Sequence, residues 1–201
     1  MELKDAMNKR RSIRKYQKKE VSDAMIETLI EAAIQAPTWK NSQTGRYHVV
    51  RSQQMLEKLK WEGLARFNGE NAEDAPILIV ATFVKDRSGF EKSGEPSNEL
   101  GNGWGCYDLG LQTMNLLLAA TELGLGTLVM GIRDEKRIRD LLSIPPQETI
   151  VSVIAVGGHA GILLIRKRVT LQTRLPFGPW IALSIVLALC INGCAQRHFL
   201  L

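Results

Sequence analysis

Residues 104–123 read W-G-C-Y-D-L-G-L-Q-T-M-N-L-L-L-A-A-T-E-L, a run that is apolar nearly all round. It is the longest helical candidate in the chain, and a helix of this kind belongs in a core or in a subunit interface. Gly124 and Gly126 end the run, and residues 127–132 predict a strand directly after it. The stretch therefore predicts a helix with packing partners on most of its surface.

The segments on either side of this helix alternate between helical and strand patterns. Residues 76–84 (P-I-L-I-V-A-T-F-V) form a continuous apolar run, which is typical of a strand covered on both faces. The other predicted elements are a short helix ending near residue 9, a helix from the Ser22 cap to Pro37, a strand at 46–51, a helix at 55–64, a helix capped by Asp134 and a strand at 149–156. This order predicts an α+β fold, with helices on both sides of a small mixed sheet.

Composition indicates one folded domain with an appendage. The chain has 201 residues, a net charge of +5 and three cysteines, which suit neither a disulfide framework nor a four-ligand zinc set. We therefore expect no metal, a reducing cytoplasm and, because no apolar signal region follows Met1, no export. The domain is expected to span residues 1–157.

Residues 158–201 differ in residue pattern from the preceding part of the chain and are predicted to be a hydrophobic tail. Residues 175–195 carry no charge, and the run is about as long as the ~20 residues that cross a bilayer. Three interpretations remain: a fusion or frameshift, a membrane anchor that leaves Arg166–Arg168 in the cytoplasm, and a buried soluble helix.

No motif in the chain indicates a catalytic centre made of protein side chains alone. The three histidines have no metal-ligand spacing, His48 is expected to be structural or superficial, and no serine sits in a nucleophile elbow. The glycines at 101, 103 and 105 do not follow a strand, as a dinucleotide fingerprint would. If the protein is an enzyme, a cofactor is expected to carry the chemistry.

Three other stretches suit a bound nucleotide. Residues 8–16 (N-K-R-R-S-I-R-K-Y) hold five cations in nine residues, and arginine forks beside a serine match phosphate oxygens. A solvated basic helix end remains the alternative, whereas a nucleic-acid surface is disfavoured because the cations are confined to one short segment.

Residues 36–47 (A-P-T-W-K-N-S-Q-T-G-R-Y) place several amides and hydroxyls on one loop, where they could hydrogen-bond to the donor and acceptor edge of a heterocycle. Residues 123–131 (L-G-L-G-T-L-V-M-G) let backbone approach a ligand, or form a plain helix cap.

Taken together, these three stretches resemble the nitroreductase family of flavin enzymes. The resemblance implies an α+β homodimer with flavin mononucleotide (FMN) at the subunit interface. It also implies reduction by NADH or NADPH and reoxidation by a nitroaromatic, quinone or similar acceptor. Donor and acceptor would occupy the same flavin face in turn, so no side-chain base is required.

The resemblance assigns roles to individual residues. Arg10 and Ser12 would meet the flavin phosphate with Arg11 beside them, and Arg14 would stabilise the negative charge that develops near the pyrimidine ring. The remaining predicted contacts are Pro37 and Thr38, from the opposite subunit, with Asn41, Gln43, Leu125 and Gly126. The polar loop at 88–104 would shape the acceptor pocket.

The chain also departs from the family pattern. Thr44-Gly45 replaces a common Pro-Trp pair, and no Lys/Arg phosphate clamp follows the fourth strand. The tail instead faintly resembles the last membrane segment of type IV prepilin peptidases, without their paired aspartates. The alternatives are therefore a flavin-binding protein impaired by its replaced terminus, or a basic membrane-associated or nucleic-acid-binding protein without catalysis.

Overall fold

The computed structural model describes residues 1–159, in which six α-helices and four strands are present, together with a 3-10 helix at Trp39–Asn41 and a π-helix at Leu59–Gly63. The helices are α1 (Leu3–Lys9), α2 (Asp23–Ile34), α3 (Gln53–Lys58), α4 (Arg66–Asn71), α5 (Gly103–Glu122) and α6 (Glu135–Leu142). The strands are β1 (Gly45–Val50), β2 (Ile77–Val84), β3 (Leu125–Met130) and β4 (Glu148–Gly158). The expected bilayer-length segment and the Arg166–Arg168 run lie outside these residues. No helix of residues 1–159 combines the length and the apolar character needed to cross a bilayer.

The predicted α+β fold is confirmed, but the predicted mixed sheet is not what the four strands form. Their order is β1-β2-β4-β3, and all three neighbouring pairs are antiparallel. Since β2 and β3 are both antiparallel to β4, they run in the same direction, and α5 connects them. The helical crossover therefore joins two parallel strands that are not neighbours. Parallel pairing within residues 1–159 is limited to an isolated bridge between Ser12 and Thr127.

Each face of the sheet has its own apolar core. On one face α2 and α5 pack against residues that include Ile79, Phe83 and Ile154. On the other, residues of α3 and α6 pack against side chains that include Leu78 and Val153. The prediction that residues 76–84 form a strand covered on both faces is confirmed.

Helix α5 is central but is not covered on every side. Its Leu109 and Leu116 are buried, whereas Tyr107 is 60% exposed and Met114 is 39% exposed. This open side continues onto the edge strand β3, where Val129 is 44% exposed. One side of α5 therefore remains available for a further contact.

Local capping explains where two of the helices begin. The Ser22 hydroxyl accepts a hydrogen bond from the Met25 amide at 3.3 Å, and the Asp134 carboxylate accepts one from the Arg137 amide at 2.8 Å. Both bonds satisfy amides that a helix start leaves unpaired. The two predicted caps are therefore confirmed.

Candidate functional site

The arginine-rich segment of residues 10–14 leaves α1 and lies along the start of β3. The Ile13 amide donates to the Thr127 carbonyl at 2.9 Å, and Ser12 forms the parallel bridge to the same residue. The predicted phosphate-binding residues therefore adjoin Leu125 and Gly126, as one site would require. These contacts join two stretches that are more than a hundred residues apart in sequence.

Gly126 permits this close approach. A Cβ atom at this position would lie 2.6 Å from Ile13 Cγ1 and 2.8 Å from His159 Cδ2. Both distances are shorter than carbon atoms tolerate, so a side chain here would push residues 10–14 away from β3. The requirement at this position is steric, because the Gly126 backbone does not have a positive φ angle.

Tyr16 holds the end of the arginine-rich segment in place. Its phenol is 7% exposed and donates a hydrogen bond to the Ile13 carbonyl at 2.8 Å. Burial raises the pKa of this phenol well above its ordinary value, and the Arg14 charge opposes the effect only in part. Tyr16 therefore remains a neutral donor at physiological pH.

Donor groups on this segment are available for an anion. Arg11 donates to the Arg10 carbonyl at 2.7 Å, and Arg14 donates to the Ser12 carbonyl at 3.3 Å. Within residues 1–159, the Arg10 guanidinium and the Ser12 hydroxyl make no hydrogen bond or ion pair. A guanidinium and a hydroxyl with unused donors are groups that a phosphate can bind.

The 37–43 loop, which holds the other predicted polar contacts, lies at the start of α5. The Trp39 amide donates to Asp108 Oδ2 at 3.0 Å, and the Trp39 and Trp104 rings lie 4.4 Å apart between centroids. Within the loop, the Gln43 amide donates to Thr38 Oγ1 at 3.1 Å, and Gln43 Nε2 donates to Asn41 Oδ1 at 3.2 Å.

The backbone of the 37–43 loop is strained. Lys40, Asn41 and Gln43 have φ angles of 45°, 55° and 49°, in the left-handed region that side chains other than glycine adopt at a cost. Such residues persist only where surrounding contacts hold them, and they concentrate at functional sites. Three of them in four positions mark this loop as a candidate binding element.

The two groups of predicted residues do not meet within one chain. Gly45, just after the 37–43 loop, pairs with Phe83, which pairs with Thr149 of β4. Leu125, in contrast, pairs with Gly158 at the other end of β4. Thr149 and Gly158 are nine residues apart, which is about 30 Å along a strand. The structure thus joins residues 10–14 to Leu125 and Gly126, and places the 37–43 loop at the far end of the sheet.

Gly45 stands at the position where the family pattern commonly has a tryptophan. A Cβ atom here would lie 1.9 Å from Gln112 Oε1, because the Gln112 side chain occupies the space that a larger residue would need. Gln112 is 4% exposed, so this space is interior. The structure therefore has no room for a tryptophan at this position unless Gln112 moves.

Asp108 is a buried carboxylate that the sequence-based interpretation missed. It is 3% exposed, and its Oδ2 accepts hydrogen bonds from the Trp39 amide and, at 2.5 Å, from the Ser88 hydroxyl. A signal was present, since Asp108 is the single charged residue of α5 before Glu122. A lone charge in an apolar helix requires a partner, and its burial indicates a specific role.

A second buried carboxylate lies on the sheet, among β1, β2 and β4. Glu148 Oε2 accepts from the Thr82 hydroxyl at 2.5 Å and lies 2.7 Å from His48 Nε2. Burial alone would raise the pKa of Glu148, but the hydrogen bonds from Thr82 and His48, with the charges of His48 and Arg46, bring it below its ordinary value. His48 thus has a polar partner within the sheet, which suits the structural role predicted for it.

Comparison with known proteins identifies the family. The sequence model of the nitroreductase family matches residues 7–158. A Methanothermobacter thermautotrophicus protein, named as an NADH dehydrogenase/NAD(P)H nitroreductase, is 35% identical over 161 residues, which cover 78% of this chain and 77% of the relative.

Solved structures have the same fold. A nitroreductase family protein from Clostridium novyi NT superposes with a TM-score of 0.69 and 24% identity, covering 80% of this chain and 86% of its own. An FMN-dependent nitroreductase from Clostridium difficile R20291 superposes with a TM-score of 0.59 and 25% identity, covering 84% of this chain and 98% of its own. None of these relatives supports the likeness of the tail to prepilin peptidases. Since the family match spans three quarters of the sequence, the chain belongs to the nitroreductase family.

Proposed function

We propose that the protein is an FMN-dependent oxidoreductase that passes hydride from NADH or NADPH to a nitroaromatic, quinone or related acceptor. The observation that carries this proposal is the contact of residues 10–14 with the start of β3, where the donors of Arg10 and Ser12 have no partner among residues 1–159. Family membership and the name of the FMN-dependent Clostridium difficile relative support it.

The residues of this segment fit a flavin nucleotide. Arg10 and Ser12 would hold the phosphate with Arg11 beside them, because a fork of N–H donors and a hydroxyl match its oxygens. FMN, when bound, supplies the two-electron redox chemistry. Arg14 is exposed and has donors to spare, so it can place a fixed positive charge beside the ring.

We further propose that the site is completed by a second copy of the chain. The 37–43 loop lies too far from residues 10–14 of its own chain to share one ligand with them, so a partner must supply it. An apolar face suited to dimerisation is present on α5 and β3, where a groove of about 350 Å³ is lined by residues that include Met114, Leu117 and Val129. Covering this face would remove exposed apolar surface from water.

The absorption spectrum of the purified full-length protein tests this function. We expect a yellow protein whose visible flavin band is bleached by NADH or NADPH without oxygen, and restored by a quinone or nitroaromatic. A colourless preparation that takes up no added FMN would contradict the proposal. A flavin that is bound but is not reduced by either nucleotide would instead support the alternative of an impaired flavin-binding protein.

A further inference from the structure

Two loops meet at the start of α5, and a single buried carboxylate joins them. The 37–43 loop donates the Trp39 amide to Asp108 Oδ2 at 3.0 Å. The 85–102 loop, between β2 and α5, donates the Ser88 hydroxyl to the same oxygen at 2.5 Å. Asp108 and Ser88 are 3% and 1% exposed, so water cannot readily replace either bond.

Further contacts tie the same two loops together. Trp39 packs against Trp104, whose Nε1 donates to Asn98 Oδ1 at 2.9 Å. At the surface, Lys40 pairs with Glu91 at 3.1 Å. Exposed ion pairs of this kind contribute little, whereas a hydrogen bond to a buried carboxylate is costly to lose. The contact through Asp108 is therefore expected to contribute more than the surface ion pair.

The 37–43 loop needs such a tether because its backbone is strained. Three of its residues have positive φ angles, and this conformation would relax if nothing held it. The Asp108 bond fixes the residue just before the strained run. If Ser88 or Trp39 moved away, the carboxylate would lose a partner in the interior, so a shift of one loop changes the free energy of the other.

We propose that Asp108 is a positioning residue that couples the 37–43 loop to the 85–102 loop, so that FMN affinity and acceptor binding depend on one carboxylate. The coupling rests on the proposed function, in which the first loop contacts FMN and the second borders the acceptor. Because Asp108 is 3% exposed, it is not expected to touch either ligand itself. It acts through the Trp39 amide on one side and the Ser88 hydroxyl on the other.

The sharpest test is Ser88→Ala in the full-length holoenzyme, because Ser88 lies outside the FMN-contacting loop. Loss of its hydroxyl should raise the FMN dissociation constant by about tenfold, the effect of losing one hydrogen bond to a carboxylate. The acceptor KM, measured with a quinone, should rise as well, with kcat changed less. Thr82→Val is the matched control, since it removes a hydroxyl that also donates to a buried carboxylate at 2.5 Å, that of Glu148, but lies in β2 outside both loops. Its FMN dissociation constant should change by no more than about twofold.

Two substitutions at Asp108 complete the test. Asp108→Asn keeps an oxygen that can accept both bonds but loses the charge, so its FMN dissociation constant and acceptor KM should lie between those of wild type and those of Asp108→Leu. Asp108→Leu should raise both quantities together. The Ser88 and Asn variants keep the proposal testable if the Leu variant does not fold.

The outcomes separate the coupling from the proposed function. If the wild type takes up no FMN, the proposed function fails and the coupling fails with it. If the wild type binds FMN and Ser88→Ala binds it equally well, the coupling alone is overturned. An equal loss of affinity in Ser88→Ala and Thr82→Val would also overturn it, because the effect would then not pass through Asp108.

Discussion

Arg14 combines exposure with unused hydrogen-bonding capacity. In the part of the chain that the structure describes, its guanidinium donates one bond, to the Ser12 carbonyl at 3.3 Å, although an arginine carries five N–H donors. The neighbouring Ile13 is hydrogen-bonded to β3, so the fold holds the Arg14 backbone in a defined place. A charge with these properties is well suited to stabilise a flavin that gains negative charge on reduction.

Arg14→Ala should therefore slow reduction of the bound FMN by NADH or NADPH, or weaken FMN binding, by about tenfold. Rapid-mixing absorbance and an FMN titration measure the two effects. Lys15→Ala, which removes an exposed cation one residue later, is the control and should change neither. If Arg14→Ala behaves like this control in both measurements, Arg14 does not contact the flavin.

Glu148 makes stability depend on pH. Its pKa lies below the ordinary value, so its folded carboxylate contributes stability that is present above the unfolded pKa of about 4.5. This contribution is lost as the pH falls through the folded pKa, where the carboxylate of the folded state takes up a proton.

Glu148→Gln should lower the free energy of unfolding at pH 7 by about 1–3 kcal/mol, since hydrogen bonds from Thr82 and His48 to a charged acceptor are weakened. Urea unfolding at pH 7 and at successively lower pH measures the difference from wild type. This difference should shrink below about pH 4.5, because the wild type is then losing the same charge. A difference that stays constant with pH would show that the Glu148 charge is not responsible.

Among the elements, the contact between residues 10–14 and β3 is the one that forms the candidate site. It depends on a backbone pairing, from Ile13 to Thr127, and on the missing side chain at Gly126. Neither feature adds a functional group. Their role is to bring the arginine-rich segment to the end of the sheet.

Gly126→Ala should weaken this contact. The new Cβ would lie 2.6 Å from Ile13 Cγ1, and we expect a stability loss of about 1–3 kcal/mol, typical of overpacking, together with weaker FMN binding. Thermal or urea unfolding and an FMN titration provide the two measurements. The control is Gly103→Ala, whose Cβ would lie at an ordinary 3.6 Å from Leu100 Cβ and should alter neither quantity appreciably. Tight FMN binding by Gly126→Ala would mean that residues 10–14 need not adjoin β3.

The helices and strands also show which structural features can be predicted from the sequence. The helix starts at Ser22 and Asp134 were predictable because each cap involves residues three positions apart. The role of Asp108 was not, since its partners Trp39 and Ser88 lie 69 and 20 residues away. The antiparallel sheet was missed for the same reason: apolar periodicity predicts that a strand exists, but its direction depends on which distant strand it pairs with.

At the scale of the whole molecule, the candidate site is divided between the two ends of the sheet. Residues 10–14, with Leu125 and Gly126, lie at one end, and the 37–43 loop lies at the other. The resemblance predicted the residues of both groups and assigned Pro37 and Thr38 to the opposite subunit. The distance between the groups within one chain depends on strand register, which the sequence does not reveal. The open side of α5 provides a surface on which two copies could join these halves.

The FMN content of a purified heterodimer tests this central claim most directly. One chain would carry Arg10→Ala and Ser12→Ala, the other Asn41→Ala and Gln43→Ala, each with its own affinity tag. Both mutant homodimers should lose FMN, since every site in them is damaged. The heterodimer should retain one FMN per two chains, because one site combines the intact arginine-rich segment of the second chain with the intact 37–43 loop of the first. A heterodimer without FMN, alongside a wild-type dimer that holds two, would contradict a site shared between subunits.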